Sequence, residues 1–196
     1  MKSKFIYKVI LVFFLSSSLL SCSNQKMIIE KETNAILNLV LKTHDSVSLI
    51  IETYYNTNVK PIKNLEPYYR AYNSKENTAV HELFYKNIKN IISIEELDEM
   101  KTRYTSWSIN KWEKTDLKNK KVKLISVDEI KKYDNEIPIV RLSEPLFTKD
   151  RRKAILKRES SKNGSGDKTL VILKKENGKW IIKGGIPIGT FHTRYH

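Results

Sequence analysis

The chain has 196 residues, 40% hydrophobic and 30% charged, and its 36 Lys and Arg against 22 Asp and Glu leave a formal net charge of +14. It is too apolar for a disordered chain and too short for several domains. Its one cysteine excludes an internal disulfide framework, a cysteine-based zinc site and a CxxC redox pair.

The opening Met1-Lys2-Ser3-Lys4 is basic, Phe5 to Leu15 is apolar apart from Tyr7 and Lys8, and Ser16-Ser17-Ser18-Leu19-Leu20-Ser21-Cys22 follows. That is the n-region, h-region and small-residue cleavage site of an export signal. A permanent membrane span needs roughly 20 apolar residues, more than lie between Lys8 and Cys22. Leu19-Leu20-Ser21-Cys22 resembles the lipobox of bacterial lipoproteins. The resemblance implies removal of residues 1–21 and attachment of acyl chains such as palmitate at Cys22. Two or more chains hold a protein stably on a bilayer. By resemblance to the sorting rule of enteric bacteria, Ser23 in place of Asp points to the outer membrane. Residues 22–27 then form the lipidated cysteine and a short tether, and residues 28–196 one domain.

From Ile28 to Leu41, the apolar positions Ile29, Ile36, Leu37, Val40 and Leu41 predict an amphipathic helix. Val47, Leu49 and Ile51 predict a strand. On this reading Pro61 and Pro67 rule out a regular element between Lys60 and Tyr68. Val80, Phe84, Ile88 and Ile91 predict a second helix beginning near Asn77, and Ser93-Ile94-Glu95-Glu96 is a capping-box sequence opening a third, with Leu97, Met100 and Tyr104 as its buried stripe. Lys121 to Ser126 reads as a strand, and Ser126-Val127-Asp128-Glu129 opens a short helical turn. Four strands follow, at Pro138–Leu142, Ala154–Glu159, Thr169–Lys175 and Trp180–Ile186. Asn163-Gly164-Ser165-Gly166-Asp167 and Glu176-Asn177-Gly178-Lys179 join the last three, with Asn-Gly suited to a type I′ hairpin. The expected fold class is α+β, with N-terminal helices packed on one face of a C-terminal antiparallel meander sheet.

Trp112-Glu113-Lys114, Ile139-Val140-Arg141-Leu142-Ser143-Glu144-Pro145-Leu146-Phe147, Asp150-Arg151-Arg152-Lys153-Ala154, Gly164-Ser165-Gly166 and Leu173-Lys174-Lys175-Glu176-Asn177-Gly178-Lys179-Trp180 together resemble a family of small uncharacterised lipoproteins of the Bacteroidetes group. The similarity covers residues 104–186. It implies a lipoprotein with an α+β domain, and no activity. Where that family can carry cysteines near the glycine loop, this chain has Ser160, Ser161 and Ser165.

No residue pattern carries a familiar catalytic set. His192 and His196 have the i, i+4 spacing of zinc ligands, but Gly184, Gly185, Pro187 and Gly189 oppose a helix there, so a frayed terminus is expected. His81 is read as a helix-surface residue. Glu95, Glu96, Asp98 and Glu99 fall in the first turns of a helix, where negative charge complements the macrodipole. Glu144 and Asp150, flanking Pro145-Leu146-Phe147 as a turn, are the carboxylates on which a small envelope hydrolase would have to draw. Gly164-Ser165-Gly166 is one residue too compact for a nucleophile elbow. The Tyr54, Tyr55, Tyr68, Tyr69 and Tyr72 cluster either closes the core or stacks on sugar rings, and packing is the favoured reading.

Charge is unevenly distributed. Residues 22–137 hold 19 basic and 17 acidic residues, whereas residues 138–196 hold 14 and 5. Lys149, Arg151, Arg152, Lys153, Lys157 and Arg158 form the candidate anion-binding face, suited to lipid phosphates, acidic glycans or an acidic partner. Lys-rich strands also keep sheet edges from pairing with other chains. The expectation is a membrane-tethered envelope lipoprotein that binds a partner through its basic C-terminal half, with no cofactor, metal or nucleic acid; the rival is a carboxylate-dependent hydrolase.

Overall fold

The computed structural model describes residues 27–42, 47–50, 60–73, 90–109, 111–117, 121–133 and 136–192. The signal segment, Cys22, most of the helix expected from Asn77, and His44, Tyr54, Tyr55, His81 and His196 lie outside them. The chain divides into two units, Met1–Ala35 and Ile36–His196. Helix α1 covers residues 27–41, and within the second unit its Ile36, Leu37, Val40 and Leu41 form a fully buried stripe.

Pro61 and Pro67 do not prevent regular structure: Pro61–Asn64 is a 3-10 turn and Glu66–Asn73 is helix α2. Pro67 stands in the helix's first turn, where the N–H it lacks would have had no intrahelical partner. Helix α3, Ile94–Arg103, starts as its sequence predicts. Ser93 N donates to Glu96 Oε2 at 2.8 Å and Glu96 N donates to Ser93 Oγ at 3.3 Å. Glu95 and Glu96 occupy the first turn and Lys101 and Arg103 the last, matching the macrodipole at both ends. Val127–Glu129 is a 3-10 turn leading into the short helix α4, Ile130–Tyr133.

The strands are β1 (Val47–Ile50), β2 (Val122–Ile125), β3 (Ile139–Leu142), β4 (Leu146–Phe147), β5 (Lys153–Lys162), β6 (Ser165–Glu176) and β7 (Lys179–His192). Among the described residues they form one sheet in the order β2-β1-β3-β5-β6-β7, with β4 also on β5. The meander is present as β5-β6-β7, with β3 antiparallel to β5. Strand β1, by contrast, runs parallel between β2 and β3. Side-chain alternation reports a strand's buried face but not its direction, so this insertion could not be read from periodicity.

The architecture is α+β, and the sheet carries a core on each face rather than one. Along β5, Ala154 and Leu156 join Val140, Leu142, Val171, Leu173, Trp112, Trp180 and the α1 stripe. Ile155, on the other side of the pleat, joins Leu170, Ile172, Ile186, Leu146, Tyr68 of α2 and Leu97 and Met100 of α3. Period-2 geometry sends alternate residues to opposite faces, so a strand apolar at three successive positions demands cover on both.

The hairpins run further than their sequences suggest. Both turns are two residues long: Asn163-Gly164 at φ +55° and +73°, and Asn177-Gly178 at φ +49° and +76°. Lys162 therefore pairs directly with Ser165, and Gly166 and Asp167 belong to β6 instead of a loop. Strand β7 passes through Gly184, Gly185, Pro187 and Gly189 because it lies at the sheet's edge, where register shifts opposite Lys168/Thr169 and Ile172/Leu173 absorb them. His192 is thus a strand residue opposite Ser165, not part of a frayed end. At Gly166 an added Cβ would lie 2.4 Å from Ser160 O and 2.6 Å from the Phe191 ring. Gly166→Ala is expected to cost about 1–3 kcal/mol of stability, read as a lower denaturation midpoint with an unchanged urea slope.

Candidate functional site

Glu144 and Asp150 flank a strand, β4, rather than a turn, and each is bound into the fold. Strand β4 pairs with β5, and Arg103, Tyr104, Ser108, Ile109 and Trp112 bond to the backbone and side chains around it. Phe147 N donates to Tyr104 Oη at 2.8 Å, and Arg103 donates to Phe147 O. Trp112 Nε1 reaches Leu142 O at 3.4 Å. Between them Pro145 has no N–H to offer, and the Glu144 carboxylate does the joining instead. It accepts from Ser108 N at 2.8 Å, Ile109 N at 3.0 Å and Ser108 Oγ. Glu144 is 4% exposed, and these donors supply the partners that its buried oxygens need. Ser143 stitches the same break to β5, its Oγ accepting from Lys157 N at 2.8 Å.

Asp150 organises the turn between β4 and β5. Arg151 N closes it on Thr148 O at 2.9 Å, and Thr148 N donates to Lys153 O at 3.0 Å. The Asp150 carboxylate accepts from Thr148 Oγ1 at 2.7 Å and from Arg152 N at 3.0 Å. From outside, Lys175 N holds Arg152 O at 2.7 Å. Arg151 sits at φ +55°, in the left-handed region that glycine or asparagine enters more cheaply. Among the described residues, the Lys149, Arg151 and Arg152 side chains make no ion pair or hydrogen bond. The turn is a short, pinned scaffold presenting three cations.

The other members of the expected basic face are placed differently. Lys153 pairs with Glu96 of α3 at 2.7 Å. Lys157 and Arg158 are neighbours on a strand and so point to opposite faces. Arg158 faces Asp167 at 3.5 Å, and Lys157 faces Glu159 at 3.5 Å. The six residues thus divide into the turn, a helix-to-strand ion pair and two separate sheet clusters.

One of those clusters includes cations absent from the expected set. Register places Arg141 of β3 and Lys168 of β6 on either side of Glu159. Their side chains lie 4.0 and 3.2 Å from its carboxylate, beside Lys157. Glu159 is 7% exposed. Burial lowers the Lys157 ammonium, which Glu159 raises and the like charges of Lys168 and Arg141 lower again. The alternation Lys153, Ile155, Lys157, Glu159 already put Lys157 and Glu159 on one face; Arg141 and Lys168 join them only through register.

The aromatic cluster resolves toward packing where it is described. Tyr68 is fully buried, its hydroxyl exchanging hydrogen bonds with the Ile92 backbone at 3.3 Å. Tyr69 Oη donates to Asp98 at 2.6 Å and lines an open depression of about 610 Å³ with Glu66, Arg70 and Lys101. His192 contacts Ser165 Oγ at 3.0 Å on the exposed hairpin surface. Among the described residues no three His, Cys, Asp or Glu side chains are grouped to hold a metal ion, and no helix is long and apolar enough to cross a membrane. No protein-family model, curated protein or solved structure matches the chain.

Burial opposes ionisation of Asp150, but bonds from Thr148 and Arg152 and the charges of Lys153 and Arg152 outweigh it and lower its pKa. A carboxylate lowered on folding stabilises the native state fully above its unfolded value, and the gain is lost as pH falls through the folded one. Asp150→Asn is therefore expected to be less stable than the parent at neutral pH. The gap should close below the ordinary aspartate value of about 3.9, as read from denaturation midpoints across pH.

Proposed function

We propose that the protein is an acyl-tethered lipoprotein of the cell envelope, held at the outer membrane through Cys22, and that its domain is a binding or accessory module, not an enzyme. It would be similar in kind to the Bacteroidetes lipoproteins that its C-terminal half resembles. The tether reading rests on Leu19-Leu20-Ser21-Cys22. In cells, the parent should incorporate labelled palmitate, and Cys22→Ser should abolish incorporation; label retained by the variant, or absent from both, overturns the tether.

The binding reading rests on one observation: three cations on a turn so tightly bonded that one of them, Arg151, is held at φ +55°. Backbone strain at a non-glycine residue is kept where the side chain has a use, and here that use is a contact with an acidic envelope component. A rigid turn also loses little conformational freedom when it binds. The full chain in zwitterionic detergent should elute from immobilised heparin, a sulfated polyanion, at a lower salt concentration when Lys149, Arg151 and Arg152 are all changed to Ser. Arg151→Gly should separate binding from folding. It removes one cation and the left-handed penalty together, so elution should move to lower salt while stability stays level or rises by up to about 1 kcal/mol. Unchanged elution in the triple variant overturns the contact.

A further inference from the structure

We propose that Arg141, Lys157 and Lys168 form a second, separate site, on the face of the sheet, for a phosphate-sized oxyanion. The three cations come from β3, β5 and β6, so their spacing is fixed by backbone ladders on both sides of β5. All three are aimed at one point, marked by the Glu159 carboxylate: Arg141 Nη1 at 4.0 Å from Oε2, Lys157 Nζ at 3.5 Å and Lys168 Nζ at 3.2 Å from Oε1.

The way that carboxylate is held points beyond a closed ion-pair network. Glu159 Oε1 is buried and accepts no well-directed hydrogen bond, although two ammoniums stand within ion-pair range. Charge gathers the cations around Glu159, while its Oε1 is left without a hydrogen bond of good geometry. A tetrahedral oxyanion has acceptor lone pairs in several directions, and so suits three donors converging from different strands better than one planar carboxylate does. Partial burial raises the value of each contact, because the local dielectric is below that of water.

The surroundings set the size of the ligand. Lys168 lies 5.1 Å from the centre of the Phe191 ring, which itself covers Gly166. Phe191 therefore walls one side of the cluster. The Lys157 and Glu159 side chains are only 13% and 9% exposed, against 32% for Lys168 and 29% for Arg141. A compact anion would thus enter past Lys168 and Arg141, and Glu159 would act as the internal counter-charge that keeps the cations assembled when the site is empty.

The probe is inorganic phosphate, titrated against the full chain in zwitterionic detergent at constant ionic strength with chloride as the balancing ion. The parent should show a saturable rise in melting temperature, and calorimetric affinity should fall at least about fivefold in Lys168→Gln and in Arg141→Gln. Glu159→Gln should bind phosphate more tightly than the parent, because it removes a negative charge facing the ligand while keeping an acceptor for the cations. A structural ion-pair cluster with no ligand would show the reverse: lost stability in Glu159→Gln and no phosphate effect in any variant. Should Glu159→Gln fail to fold, the two cation variants decide the matter alone. A phosphate effect that survives both of them but disappears when Lys149, Arg151 and Arg152 are changed to Ser would overturn this site and leave the turn intact. Weaker heparin binding in that triple variant with phosphate binding kept would support both sites as separate.

Discussion

Strand β5 is the constraint on which both cores depend. It pairs with β3 and β4 along one side and with β6 along the other, so a single register error would move every partner at once. A slip of one residue would also turn Ala154 and Leu156 away from one core and Ile155 away from the other. The two-residue Asn163-Gly164 turn fixes that register on the β6 side, and Ser143 fixes it at the break between β3 and β4. Polar groups near this strand are therefore recruited to hold the chain in register before they are available for anything else.

That priority explains what became of the carboxylates. Glu144 is buried at the break between β3 and β4, each of which pairs with β5, and it satisfies the backbone of Ser108 and Ile109. Asp150 serves the turn that feeds β5 in the same way. Glu96 caps helix α3 and at the same time receives Lys153 from the start of β5. Each of these three acidic side chains is thus tied to a joint between elements. The cations outnumber such joints, and the surplus collects at the β4–β5 turn.

Features that depend on neighbouring residues were legible from sequence. The capping box at Ser93, the Asn-Gly turns and the amphipathic stripe of α1 are all local, and each is where its spacing puts it. Features that depend on residues distant in sequence were not. The parallel insertion of β1, the second core under α2 and α3, and the meeting of Arg141 and Lys168 across Glu159 all arise from pairing, which one strand's pattern does not encode. Pro67 misled in a different way. Proline reads as a breaker unless its position relative to a helix start is known, and Glu66 marks that start only once the helix is seen.

The two cationic sites differ in a way that follows from their construction. At the β4–β5 turn the carboxylate that shapes the site, Asp150, is bonded to the backbone and to Thr148, so its geometry is set whether or not a ligand is present. On the sheet face the shaping carboxylate, Glu159, stands among the cations themselves and would share them with any anion that enters. The first arrangement suits an extended polyanion, for which a rigid row of charges on an exposed turn costs little to engage. The second would suit a small anion, because Lys157 and Glu159 are largely buried and only Lys168 and Arg141 are open to solvent. The two proposed sites would therefore draw on different side chains of the same basic half.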